Sequence, residues 1–149
     1  VSWHRLPEGL YRGPLVVTRL RDPRRNAAPG IPPFLECWAL LDTGATHSIV
    51  DVGQIAERLD LRVHDQRRMA VAGASTHVAS AADTAPLRPV YEVGVAFPDF
   101  DFEERTVRVS GMTLPGPFWM LIGMDLLDGT RLAMECRGSE RWLRWEPLR

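Results

Sequence analysis

The chain has 149 residues, enough to bury one sizeable core and too few for two independent ones, so residues 1–149 read as a single domain. Its 45% hydrophobic and 25% charged residues are average for a globular protein, which excludes a disordered tract, a collagen-like repeat and a disulfide-dense miniature scaffold. Eighteen basic side chains, all arginine, against nineteen acidic ones give a net charge of -1, so no dedicated nucleic-acid or polybasic membrane surface is expected.

Pro and Gly divide the chain into short segments that alternate apolar and polar residues, the pattern of half-buried strands. Leu15–Leu20 and Phe34–Leu41 read as strands, and residues 21–30 between them have the composition of an exposed loop. A helix starts near Asp51, an N-cap with Gln54 three residues on, and carries Val52, Ile55, Ala56 and Leu59 on one face. Arg68–Ala72 and Thr76–Ser80 flank Gly73-Ala74-Ser75 as a hairpin of small side chains. Pro89–Phe97 and Phe102–Val109 read as two more strands separated by the turn at Pro98-Asp99. After the strand Trp119–Ile122 and Gly123, a helical turn Asp125–Asp128 stops at Gly129, and Arg131–Cys136 with Arg141–Trp145 form a closing hairpin through Gly138-Ser139. Trp142 and Trp145 are three apart in that strand and so face opposite ways, one toward the core and the other toward a partner subunit.

The longest apolar run, Phe118–Ile122, is far below the roughly 20 residues of a spanning helix, so no membrane contact is expected within this segment. The chain opens Val1-Ser2-Trp3 with neither an initiator Met nor a signal-peptide pattern, which reads as a trimmed domain or one cut from a longer protein. A cytoplasmic location is favoured, with a periplasmic or membrane-anchored parent left open. Cys37 and Cys136 cannot form a disulfide framework and lie in no zinc or redox spacing; two buried free thiols are expected, with one long-range bridge still open. His4, His47, His64 and His77 show no metal-binding pattern, no Gly-x-Ser-x-Gly elbow occurs, and Cys37 has no adjacent base, so neither a metal nor another cofactor is expected.

Chemistry concentrates in Leu40-Leu41-Asp42-Thr43-Gly44-Ala45-Thr46-His47-Ser48-Ile49-Val50. Asp is depleted in strands and costly to bury unpaired, so Asp42 at the end of an apolar strand calls for a reason beyond an ordinary turn. A second element, Met120-Leu121-Ile122-Gly123-Met124-Asp125-Leu126-Leu127, is another apolar strand ending in Gly before a helical turn. The two in this order resemble the retropepsin-like aspartic proteases, over approximately Leu15 to Trp145. The resemblance implies a closed, mainly antiparallel β-barrel-like acid-protease fold with one or two short helices. It also implies hydrolysis of a peptide or protein substrate.

Two close carboxylates that share one proton can supply both the base that activates water and the acid that protonates the amide. The chain has one Asp-Thr-Gly, so the second carboxylate is expected from a second subunit, as two Asp42 residues facing across the axis of a homodimer. By the resemblance, Thr43 hydrogen-bonds across that axis, Gly44 lets a substrate backbone approach and Ala45 packs where nothing larger fits. Gly123 sits close behind the catalytic loop, and Ile49, Trp119 and Leu121 are either walls of side-chain pockets or ordinary core. The Gly73-Ala74-Ser75 hairpin becomes a flap that closes over an extended peptide. Retroviral members usually carry an acid at the position of Thr46 and Arg at that of Met124, which together form a charge network; their replacement points to a cellular or bacterial relative. A retropepsin-like peptide-binding or dimerisation module that does not cleave is the alternative from another class.

Overall fold

The structure is a computed structural model that describes residues 2–24, 28–69 and 85–148. Strands β1 (His4–Arg5), β2 (Leu15–Arg21), β3 (Leu35–Leu41), β4 (Ile49–Asp51), β5 (Val63–Arg68), β6 (Leu87–Ala96), β7 (Arg105–Met112), β8 (Met120–Ile122), β9 (Thr130–Arg137) and β10 (Glu140–Pro147) are joined by two short helices. One is a π-helix, Val52–Ala56, and the other is α1, Met124–Leu127.

Strands pair in the order β2-β3-β8-β4-β7-β6, and β6 returns to β2, which closes a six-stranded barrel and removes its open edges; β5 extends from β6. The ring is antiparallel except at β3–β8 and β4–β7, which run parallel. The short β8 and β4 are thereby inserted between longer strands, and β3, β8 and β4 bring the two motif segments side by side although their paired residues are 70 to 81 positions apart in the chain. Alternation sends Val16, Thr18 and Leu20 of β2, Ala39 and Leu41 of β3, and Met120 and Ile122 of β8 inward, onto Val50, Ile55, Val93 and Val109.

The predicted N-cap holds. Asp51 is buried, one carboxylate oxygen accepting from Gln54 N–H (2.9 Å) and the other from Leu114 N–H (2.8 Å), so the charge is fully hydrogen-bonded. The helix it starts is a π-turn with Glu57 N–H donating to Val52 O (2.9 Å), and the turn that follows it runs to Asp60, which has φ 49°. Ile55, Ala56 and Leu59 are buried as expected; Val52 is half-buried.

Some boundaries move. The strand expected at Phe102–Val109 runs Arg105–Met112, because Phe100 and Phe102 are held in turns closed on Phe97 and Phe100 and their rings pack on Trp145. Phe97 joins them with its ring centroid 4.6 Å from that of Trp145, so aromatic burial outweighs strand continuation here. Only Arg68 and Met69 of the expected Arg68–Ala72 strand and Thr76–Ser80 arm are described, Arg68 as the end of β5. The closing hairpin is longer than expected, and together with β1 it forms a separate three-stranded sheet, β1-β10-β9. Trp145 and Trp142 do face opposite ways: Trp145 is buried, whereas Trp142 is half-buried under the Arg137 guanidinium, 4.9 Å from its ring centroid.

The cysteines depart from expectation. Both thiols are free, but Cys37 is half-buried and Cys136 exposed, because Cys136 lies on β9, a strand covered on one side only. Burial foremost, with the Glu36 charge adding, pushes the Cys37 thiol up to about 12. A thiol titration of the native protein at pH 8 should therefore show one fast equivalent, lost in Cys136→Ser, and a second only after denaturation; two fast equivalents in the native state would contradict this placement. The unfolded Cys37 thiol ionises at lower pH than the folded one, so stability also declines as pH rises from about 9 toward 12.

Candidate active site

Asp42 leaves the end of β3 under restraint from both neighbours. Leu41 N–H donates to Pro14 O (3.0 Å) and Asp42 N–H to Ile122 O (2.9 Å), so the strand end is clamped between the N-terminal segment and β8. The chain then turns. Gly44 N–H donates to Asp42 Oδ1 (2.9 Å) and Ala45 N–H to Asp42 O (3.2 Å), which aims one carboxylate oxygen along the turn. Asp42 is half-buried, Thr43 and Gly44 are exposed, and among the described residues no cation forms an ion pair with Asp42. The acid is therefore presented, not consumed in a structural salt bridge.

The second motif lies directly behind this turn. Met124 N–H donates to Ala45 O (2.7 Å) and Asp125 N–H to Thr46 O (3.3 Å). A Cβ on Gly123 would lie 2.7 Å from the His47 carbonyl carbon and 2.8 Å from the carbonyl oxygens of Ala45 and His47, so glycine is required by close approach. Side chains complete the join. Ser48 is fully buried, its N–H donating to the Asp125 carboxylate (2.9 and 3.0 Å) and its hydroxyl to Asp125 Oδ1 (2.6 Å), while Ser48 Oγ accepts from Gly123 N–H (3.0 Å). Thr46 and Met124 are exposed, and the loop is fastened to α1 through Ser48 and Asp125.

Sequence reasoning did not single out Ser48 or Asp125 as partners, and no local signal could have, since they meet only when β4 and β8 pair. Asp125→Ala should lower stability by about 2 kcal/mol, because the buried Ser48 donors lose their acceptor. This is read as a fall in Tm of roughly 4–8 °C. Asp125→Asn, which keeps an acceptor, should lose less; equal loss in both would refute the hydrogen-bond account.

Register also builds an apolar face. Leu121 of β8 pairs with Leu40 of β3 and with Ile49 of β4, so these three side chains share one surface, opposite the core-facing Met120 and Ile122. Asp42 follows directly where β3 ends at Leu41, its N–H bound to Ile122 O of β8, so the turn starts at the end of the strands that carry this face. Ile49 is 4% exposed, whereas Leu40 and Leu121 are half-buried. Thus Ile49 and Leu121 come together beside Asp42. Trp119, just before β8, lines a cavity of about 300 Å³ with Val17, Glu36, Cys37, Trp38 and Pro117, and Arg58 lies 5.6 Å over its ring. Gly73, Ala74 and Ser75, the expected flap, lie outside the described residues. Among the described residues no three His, Cys, Asp or Glu side chains converge as metal ligands, and no helix is long and apolar enough to cross a membrane.

No protein-family model matches the chain, and no curated protein does. Among solved structures it is similar to EIAV protease complexed with the inhibitor HBY-793, at 16% identity and a TM-score of 0.49 over 82% of this chain and 91% of that one. It is also similar to the retroviral protease-like domain of Ddi1 from Leishmania major, at 12% identity and a TM-score of 0.42 over 89% of this chain and 94% of that one. At these values the likeness carries no inference about activity, and the functional reading stands on the residues of the site.

Proposed function

We propose that the chain is an aspartic endopeptidase, active as a homodimer in which each copy contributes one Asp42. The observation that carries this reading is a half-buried carboxylate, without an ion-pair partner among the described residues, on a rigidly fastened Asp-Thr-Gly turn that is present once per chain and follows the strand carrying Leu40 of the Leu40, Ile49 and Leu121 surface. One Asp42, ionised, takes a proton from water as its oxygen attacks the scissile carbonyl carbon. The other, protonated, donates to the carbonyl oxygen to give a gem-diol. Proton transfer to the amide nitrogen then lets the C–N bond break, releasing an acid and an amine and restoring one shared proton.

Thr43, exposed at the turn, is proposed to hydrogen-bond across the two-fold axis, and Gly44 and Ala45 to lie along the substrate backbone. The apolar face suits extended peptides with aliphatic side chains next to the scissile bond, and Gly73-Ala74-Ser75 is proposed to close over them. Cleavage of a peptide library from acidic to neutral pH, compared with Asp42→Asn, tests the reading. Equal activity in the two proteins would refute the mechanism, and no cleavage by the wild type at any concentration would favour a peptide-binding or dimerisation module that does not cleave.

A further inference from the structure

The face that carries Leu40 continues along β3. Trp38, two residues before Leu40, leaves the strand on the same side, and the register sets Val17 of β2 opposite it. With Glu36, Cys37, Pro117 and Trp119 these two side chains line the cavity of about 300 Å³, on the outside of the barrel. Its walls are held in place. Trp119 N–H donates to Trp38 O (3.1 Å), Asp51 N–H donates to Trp119 O (2.9 Å), and the Arg58 guanidinium lies 5.6 Å over the Trp119 ring. Both indoles stay half-buried, as do Val17 and Pro117, so an open volume between aromatic walls is built into the fold before any ligand arrives.

Polar groups in the lining are few. Burial keeps the Cys37 thiol uncharged at neutral pH. Glu36 is the one charged side chain of the lining, and Arg19, 3.4 Å away, steadies its carboxylate while leaving it 46% exposed. A volume of this size is at the small end of ligand pockets, so it suits one ring system better than a long chain. Indole walls favour an aromatic ring, and the carboxylate favours a ring that carries a donor.

We infer that this cavity binds a tyrosine or tryptophan side chain of the extended peptide substrate, borne on the third or fourth residue from the scissile bond. The inference rests on the endopeptidase reading for the identity of the ligand. Position follows from chain geometry. Trp38 precedes Asp42 by four residues, roughly 13 Å at about 3.3 Å per residue, and an extended peptide advances by a similar step. Continuity supplies the route, because Trp38 and Leu40 share a face and Leu40 pairs with Leu121 beside the catalytic turn. Substrates are then selected at two places, by aliphatic side chains next to the bond and by an aromatic one farther along.

Fluorescence anisotropy of labelled peptides on the Asp42→Asn protein, which binds without cutting, tests the assignment. Peptides drawn from the library carry Tyr, Phe or Ala at successive positions. At one of them tyrosine should bind roughly tenfold tighter than alanine and roughly threefold tighter than phenylalanine. Glu36→Ala should erase the preference for tyrosine over phenylalanine and keep that for phenylalanine over alanine. Val17→Trp, which fills the cavity, should bring both ratios close to one. With no cavity residue altered, the tyrosine peptide should also shift the amide resonances of Val17 and Trp38 more than the alanine peptide does. Equal affinities at every position, ratios that survive Val17→Trp, or amide shifts that do not distinguish the two peptides would each overturn the inference. N-acetyl-tyrosinamide that fills the cavity while peptides show no tyrosine preference would mean a site for a free aromatic molecule, and would overturn it as well. Cleavage separates this from the endopeptidase reading: if the wild type cuts tyrosine and alanine peptides with equal kcat/KM, the cavity assignment falls and the endopeptidase stands. If no peptide is cut and the affinity ratios hold, the endopeptidase falls and the cavity stands as a peptide-binding site.

Discussion

Asp42→Asn should lower kcat for peptide cleavage by a factor of roughly 1000, about 4 kcal/mol in the barrier, the loss expected when a positioned acid-base group is removed. Thermal unfolding should hardly change, because the Asn carbonyl can still accept from Gly44 N–H and no ion pair is broken among the described residues. The decisive form of the experiment mixes subunits. With nine parts Asp42→Asn to one part wild type, random pairing leaves only about one wild-type subunit in ten with a wild-type partner, so activity per wild-type subunit should fall about tenfold. A mixed dimer holds one carboxylate and one amide, and the amide can neither take a proton from water nor supply one to the substrate. Activity that ignores the added variant would mean that each chain carries a complete site.

Gly123→Ala should destabilise the protein by about 3 kcal/mol and lower Tm by roughly 6–12 °C. The three atoms that the new methyl would meet, within 2.7–2.8 Å, all belong to the backbone of residues 45 and 47, which cannot rotate away as a side chain would. Relief requires the turn after Asp42 to move off β8, which also strains the Ser48–Gly123 and Met124–Ala45 hydrogen bonds. The surviving folded protein should therefore lose activity as well, through displacement of Asp42. By contrast, Gly129→Ala, where a Cβ would meet nothing within 4 Å, should cost only the strain of φ 76° at that turn. Equal destabilisation in the two variants would remove the close-approach argument.

Much of this was readable along the chain because it depends on near neighbours. The N-cap at Asp51 with Gln54, the stop at Gly129, the opposite facing of Trp142 and Trp145, and the turn after Asp42 all follow from residues within four positions of each other. The aromatic cluster shows the opposite limit: Phe100 and Phe102 lie in a segment with strand-like alternation, but Trp145, more than forty residues away, decides that they pack in turns. At the site, Trp119 lines a cavity with Trp38 of β3 and lies under Arg58 from the segment after the π-helix, neighbours that no local pattern names.

By itself, then, the sequence determined a mainly β chain with one Asp-Thr-Gly turn, and with it the proposal that a complete site needs two chains. The tertiary structure alone decided that β3 and β4 both flank β8, which sets Leu40, Ile49 and Leu121 side by side, locks Ser48 onto Asp125 and leaves the outer edge of β9 without a partner among the described residues. The physical reason is range. Turn chemistry and alternation act over a few residues, whereas parallel pairing and close backbone packing join segments whose separation in the chain carries no record of the contact.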